Sequence, residues 1–180
     1  MALAAAPAGR AAAGNEAAEN TAAEYEVKAA FLFNFARFVE WPPGAFASPT
    51  APIGVCVLGE DPFGDALNRV VAGKTLGDRS LAVRRGKKVK ELGGCEIIFV
   101  SSSEHERVPE ILQELGKAPV LTVGESADFA AEGGDVQFTL EDNHVRFLVN
   151  VDATERAGLK VSSKLLTLAH VVHDDPRRKS

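Results

Sequence analysis

Between Glu24 and Trp41 the apolar residues Val27, Phe31, Leu32, Phe35, Phe38 and Val39 return at steps of three and four. That period predicts an amphipathic helix with an aromatic face. The Trp41-Pro42-Pro43-Gly44 run ends it. The pattern then shortens: residues 52–59 form an apolar, β-branched run that reads as a strand. In the Gly59–Gly64 segment that follows, Asp61 suits a helix cap and Pro62 its first position. The predicted helix turns Phe63, Leu67, Val70 and Val71 inward, stops at Gly73 and hands over to a strand across residues 79–86. Residues 95–103 give a nearly continuous apolar strand, as expected where both faces are covered. Residues 105–117 have helical period and a Gly stop.

A fourth strand is expected at 118–125 and a short helical connection at 126–134. Residues 135–142 and 144–151 alternate in polarity about Asp142 and Asn143, the pattern of an antiparallel hairpin at a sheet edge. A helix pair closes the chain, the first ending at Gly158 and the second running from a Ser162 cap through residue 172. Strands alternating with helices imply a mainly parallel sheet covered on both sides, a three-layer α/β sandwich with an antiparallel C-terminal hairpin. Ligand chemistry in such a fold gathers at the C-terminal ends of the parallel strands.

Composition sets the limits of that domain. The first 23 residues of the 180 are Ala, Gly, Glu, Asn and Thr with almost no large side chain, and are expected to be a disordered tail. Residues 24–172 form the domain, and 173–180 a charged tail. With a net charge of −5 and scattered basic residues, the chain lacks the footprint of a nucleic-acid binder. No uninterrupted apolar run approaches a membrane span, since Asn34, Arg37 and Glu40 break the longest. Cys56 and Cys95 lack Cys-x-x-Cys spacing, which argues against a zinc or thioredoxin-like site and leaves a disulfide or two buried thiols.

Several motifs invite chemistry and most have a plainer reading. Glu60 and Asp61 stand at the expected ligand edge, yet capping explains Asp61, and neither a dinucleotide glycine pattern nor a Walker lysine is present. Ser101, Ser102, Ser103 and His105 suggest a hydrolase, but the flanking glycines of a nucleophile elbow are missing and a serine cap accounts for the run. His144, His170 and His173 form no metal motif, so no metal or cofactor is expected. The basic stretch Arg84–Lys90 reads as solvated surface. Phe31, Phe35 and Phe38 read first as core, whereas Trp41, before two prolines, suits either core or a partner. The richest polar cluster is Asn150, Arg156, Lys160, Ser162, Ser163 and Lys164: capping alone explains either serine, while two basic residues converging on a helix start equally suit a bound phosphate or carboxylate.

Four blocks, residues 29–42, 56–67, 96–104 and 145–172, resemble the YfiR family in order and spacing from about Tyr25 to Val172. The resemblance implies a Rossmann-like fold, export to the periplasm and a tendency to dimerise. It also implies a non-catalytic role, restraint of a membrane-bound diguanylate cyclase that tunes cyclic di-GMP. The surface it implies falls on Arg156, Lys160 and Ser162, together with the residue before the Trp-Pro step. Here that residue is Glu40, where a better-known member is basic, and Ser162 replaces an aromatic ring. In a flavodoxin-like strand order Cys56 and Cys95 lie on neighbouring strands, offset along them, and an oxidising compartment favours a bridge.

Three functions follow as expectations. A periplasmic inhibitor would bind a membrane signalling protein through Phe31, Phe35 and Trp41. A receptor for a small anionic ligand, nucleotide or amino acid, would use the Arg156, Lys160 and Ser162 turn. A hydrolase would need Ser102 or Ser103 within hydrogen-bond reach of His105.

Overall fold

The computed structural model describes residues 9–179. Its elements in chain order are α1 (Gly9–Phe38), β1 (Val39–Glu40), β2 (Ile53–Leu58), α2 (Ala66–Val71), β3 (Thr75–Leu76) and β4 (Arg79–Gly86). Then come β5 (Ile97–Val100), α3 (Val108–Leu115), β6 (Leu121–Gly124), β7 (Val136–Glu141) and β8 (His144–Asn150). The chain ends with α4 (Val151–Arg156), β9 (Lys160–Val161), α5 (Ser163–Leu166) and β10 (His170–Val172), followed by a 3-10 turn at Pro176–Lys179.

Strands β4, β2, β5, β6 and β7 lie side by side and parallel, which is the flavodoxin-like order the sequence suggested. β8 folds back antiparallel on β7 through Asp142 and Asn143, both with positive φ, as a two-residue hairpin turn requires. β10 adds parallel to β8 at one edge, and the short β3 adds antiparallel to β4 at the other.

Every residue of β2, β5 and β6 is buried, because helices cover both faces. On one face Leu32 and Phe35 of α1 and Leu67 of α2 pack on Val55, Val57, Phe99, Phe138 and Phe147. On the other, Val108 and Ile111 of α3 meet Cys56, Leu58, Ile98, Val100 and Phe129. These are the three layers expected from the alternation.

Several elements depart from the pattern-based reading; α2, for one, starts at Ala66 behind Asp65 rather than at Pro62 behind Asp61, whose carboxylate closes a turn on Phe63 N–H instead. The first helix starts at Gly9 rather than near Glu24, so α1 takes in residues 9–23 of the segment read as a tail, while residues 1–8 lie outside the described residues. Alanine explains the difference: it cannot build a core but is the strongest helix former. Residues 126–134 are turns rather than a helix, because the Phe129 ring is wedged against Gly124 and Gly134, where a Cβ would come within 2.3 and 2.1 Å of it. The last helix stops at Leu166, and His170–Val172 is a strand, so His170 and His173 do not share a helical turn. The β-branched Val171 and Val172 suit a strand, and the free edge of β8 supplies its hydrogen bonds. The expected C-terminal tail is tied down through His173 and Asp174, which bond to Asp152, Asn150 and Arg156.

Candidate partner-binding face

α1 runs directly into β1, which pairs antiparallel with β9, setting Val39 opposite Val161 and Glu40 opposite Lys160. The Ser162 N–H donates to the Phe38 carbonyl at 2.9 Å and closes the ribbon. Val39 is buried, whereas Glu40 and Lys160 are exposed as a cross-strand pair of opposite charge. The WPP loop and the turn at Gly158, about 120 residues apart in sequence, thus share one end of the molecule.

Trp41 follows immediately and is half-buried. Its indole N–H donates to the Glu96 carbonyl at 3.2 Å, and its ring meets Phe46 edge to face at 6.3 Å. The Arg79 guanidinium lies 3.6 Å from the Phe46 ring and donates to the Ser48 and Ala51 carbonyls at 2.9 and 2.6 Å. The loop is therefore held at both ends. It borders an open groove of about 520 Å³ lined by Trp41, Pro42, Pro43, Phe46, Pro49 and Arg79. Prolines and anchored aromatics lose little conformational entropy on binding, and this groove offers apolar area at that low cost.

Beneath the loop lies the buried Glu96 carboxyl, which accepts from Gly54 N–H at 2.6 Å; burial pushes its pKa upward against that bond and the charge of Arg79. Gly54 also explains the joining of Cys56 to Cys95, whose α-carbons are 6.1 Å apart. A Cβ at Gly54 would sit 2.8 Å from the Gly94 carbonyl and 2.9 Å from Cys95 Cα, so its absence lets the Cys95 backbone fold against β2. That approach brings the two cysteines together across the offset between their strands.

The aromatic residues singled out from sequence do not form one patch. Phe35 is fully buried against Phe138 and Phe147, because it points into the sheet, and it leaves the partner surface. Phe31 is half-buried over Phe147 at 5.2 Å and borders a different groove, between α1 and the β7–β8 hairpin. Trp41 stays on the groove just described.

The polar cluster divides as well. Asn150 is buried: its Oδ1 caps α4 by accepting from Ala153 N–H at 3.1 Å, and its Nδ2 donates to Ala130 O and Asp174 Oδ1, both at 3.0 Å. Arg156 pairs with Asp174. Asn150 and Arg156 are thereby engaged inside the chain, and the Arg156 charge is neutralised before any anion arrives. Lys160 faces Glu40, and Ser162 Oγ accepts from Lys164 N–H at 3.2 Å, the cap of a four-residue helix bearing exposed Ser163 and Lys164. The expected anion-binding turn is thus split, with Lys160 and Ser162 on the Trp41 end.

At the C-terminal edge of the parallel strands, the loops after β2 and β5 meet around a shallow cavity of about 350 Å³. Ser103 Oγ accepts from Glu60 N–H at 3.0 Å, Ser101 Oγ accepts from Ser103 N–H, and His105 Nδ1 lies 3.0 Å from the Ser102 carbonyl. The serines act as loop and cap acceptors, and the His105 ring bonds a backbone oxygen rather than a hydroxyl. Asp61 accepts from Phe63 N–H at 2.8 Å and pairs with Arg85.

Two buried groups escaped the sequence reading. Lys28 is sealed between Glu24 and Glu125, and Glu125 also accepts from the Tyr25 hydroxyl at 3.1 Å; burial, then Glu125, drives the Tyr25 pKa upward. The four-residue spacing of Glu24 and Lys28 was a visible signal, but Glu125 was not. Asp135 accepts from Thr122 N–H at 2.8 Å and Thr122 Oγ1 at 2.7 Å, and burial raises its pKa to about 6. No sequence signal links Thr122 to Asp135.

Among the described residues no group of three or more His, Cys, Asp or Glu is placed to hold a metal, and no helix is long and apolar enough to cross a membrane. Residues 25–170 match the model of a family described as YfiR/HmsC-like.

Proposed function

This chain belongs to the YfiR/HmsC-like family, whose members are periplasmic regulators in cyclic di-GMP signalling, and from that membership we propose that it binds and restrains a membrane-bound diguanylate cyclase. We assign the contact to the Trp41 end. The observation that carries this is the pairing of β1 with β9, which joins an anchored Trp-Pro loop to exposed Glu40 and Lys160. Partner recognition concentrates on such rigid aromatic anchors with a charged rim. The protein contributes no chemistry in this reading: it occupies a surface of the cyclase and holds it in its less active state.

The test is capture from membranes by the purified protein, oxidised and reduced, alongside Trp41→Ala and Lys160→Glu. A captured cyclase that Trp41→Ala loses, and whose activity falls when wild-type protein is added, is the expected result. Equal capture by wild type and Trp41→Ala would place the contact elsewhere. Absence of capture in either redox state would count against the restraint itself.

A further inference from the structure

Asp135 stands immediately before β7 and is only 4% exposed. One of its carboxylate oxygens is engaged: Oδ2 accepts from the Thr122 N–H and hydroxyl, and the Asp135 N–H donates back to Thr122 Oγ1 at 3.0 Å. The other, Oδ1, accepts no hydrogen bond among the described residues. Nor is it sealed, since the sealed side-chain atoms without a partner among those residues belong to Ser126 and Thr139. Its open side is a cavity of about 50 Å³ that Asp135 and Thr122 line together with the end of α3 and α4. That is room for more than a single water.

The rest of the lining is largely apolar, through Leu112, Leu115, Val120, Ala153 and Ala157. Arg156 is the one other charged side chain in it, and Arg156 is already paired with Asp174. With all three ionised, Asp135, Arg156 and Asp174 carry one negative charge in excess. Burial lifts the Asp135 pKa to about 6 against the attraction of Arg156, so that cation does not compensate the buried carboxylate. A buried charge left in this condition is stabilised by a partner that brings both a positive charge and an N–H donor.

We propose that this cavity binds a short primary aliphatic amine, its ammonium donating to Asp135 Oδ1 and its alkyl tail lying against Leu112, Leu115 and Ala157. The lining selects this class. An anion would meet the Asp135 charge, a hard metal ion would need several oxygen ligands where the wall is aliphatic, and a quaternary ammonium has no N–H for Oδ1. The cavity shares no lining residue with the Trp41 groove, so amine binding and the restraint of a cyclase stand or fall separately.

The test is an NMR titration of the full chain, labelled with 13C and 15N, with ethylammonium chloride at constant ionic strength, and with tetramethylammonium chloride as the control. Amide shifts at Thr122, Asp135 and Ala157 should saturate with ethylammonium, with a dissociation constant on the order of a millimolar for so small a ligand, and should not do so with tetramethylammonium. Bound amine favours the ionised carboxyl, so the titration midpoint of the Asp135 carboxyl carbon should fall by about one pH unit at ten times that constant. Asp135→Asn should abolish saturation, with unchanged amide dispersion verifying its fold. Arg156→Gln, at an exposed position, removes a competing cation and should tighten binding severalfold. Shifts that do not saturate, or that tetramethylammonium reproduces, overturn the proposal. An Asp135 midpoint indifferent to the amine also overturns it, whether or not Asp135→Asn folds. Weaker binding in Arg156→Gln would show that the ligand is held by the arginine instead.

Discussion

Asp135 shows how one buried carboxyl sets a pH response. Its pKa in the fold is about 6 against 3.8 for the free side chain, because burial penalises the charge more than the Thr122 bonds and Arg156 favour it. The folded state therefore holds a proton that the unfolded state has released between those two values. Stability from this residue rises as pH falls from above 6 toward 4 and levels off below. The difference is about 3 kcal/mol at most. Melting temperature against pH, compared with Asp135→Asn, should show the wild-type slope flattened in the variant across that window.

Lys28 offers a sharper contrast at the same scale. Lys28→Met leaves the nearly buried Glu125, and the more exposed Glu24 beside it, without a cation and should cost about 3 kcal/mol. Glu125→Gln leaves one carboxylate for one lysine and should cost distinctly less; urea unfolding of both variants checks the order. Gly54→Ala drives a methyl into the Gly94 carbonyl and Cys95 backbone. A loss of about 1–3 kcal/mol is expected. A neutral result would mean that the β2–β5 crossing relaxes freely.

Among the elements, the interior strands and their partners were legible because they are continuous and apolar. β2 and β5 announced themselves by composition, and β7 and β8 by alternation across a turn of Asp142 and Asn143. The C-terminal segment was not, since residues 162–172 satisfy both a helical and an extended reading until β8 offers an open edge. Asp174 then pins the end of β10, through Asn150 and Arg156. Asp174→Ala should free this segment: hydrogen exchange should accelerate in β10 and at the α4 cap while β2 and β5 remain protected. Uniform protection would show β10 to be held by the sheet alone.

For the whole molecule, the bridge between Cys56 and Cys95 closes a segment of 39 residues spanning β2, α2, β3 and β4. Constraining a loop of that size in the unfolded chain is worth about 2–4 kcal/mol. Paired Cys→Ser substitution should lower the melting temperature accordingly, and reduced wild type should match it. The bridge lies on the α3 face of the sheet, with Leu58, Ile98 and Phe129, while Trp41 packs against α1's side of the core. If the restraint proposed above is redox-sensitive, the signal must cross the sheet, where Gly54 and Glu96 contact both regions.

The sequence alone determined the layer architecture, the parallel strands and the hairpin, because each rests on local periodicity and on apolar runs that have nowhere to go but inside. It also placed the chain beside its family, through blocks whose order and spacing are linear information. Tertiary structure decided the rest. Trp41 joins Lys160 through a two-residue ribbon too short to leave a periodic trace, and Arg156 meets a partner in what read as a tail. Phe31 and Phe35 share a helical stripe, but Phe35 is fully buried against Phe138 and Phe147 while Phe31 stays at a groove. Periodicity tells which side chains leave water; only the packed neighbours decide which polar groups find each other and which apolar ones remain in reach of a partner.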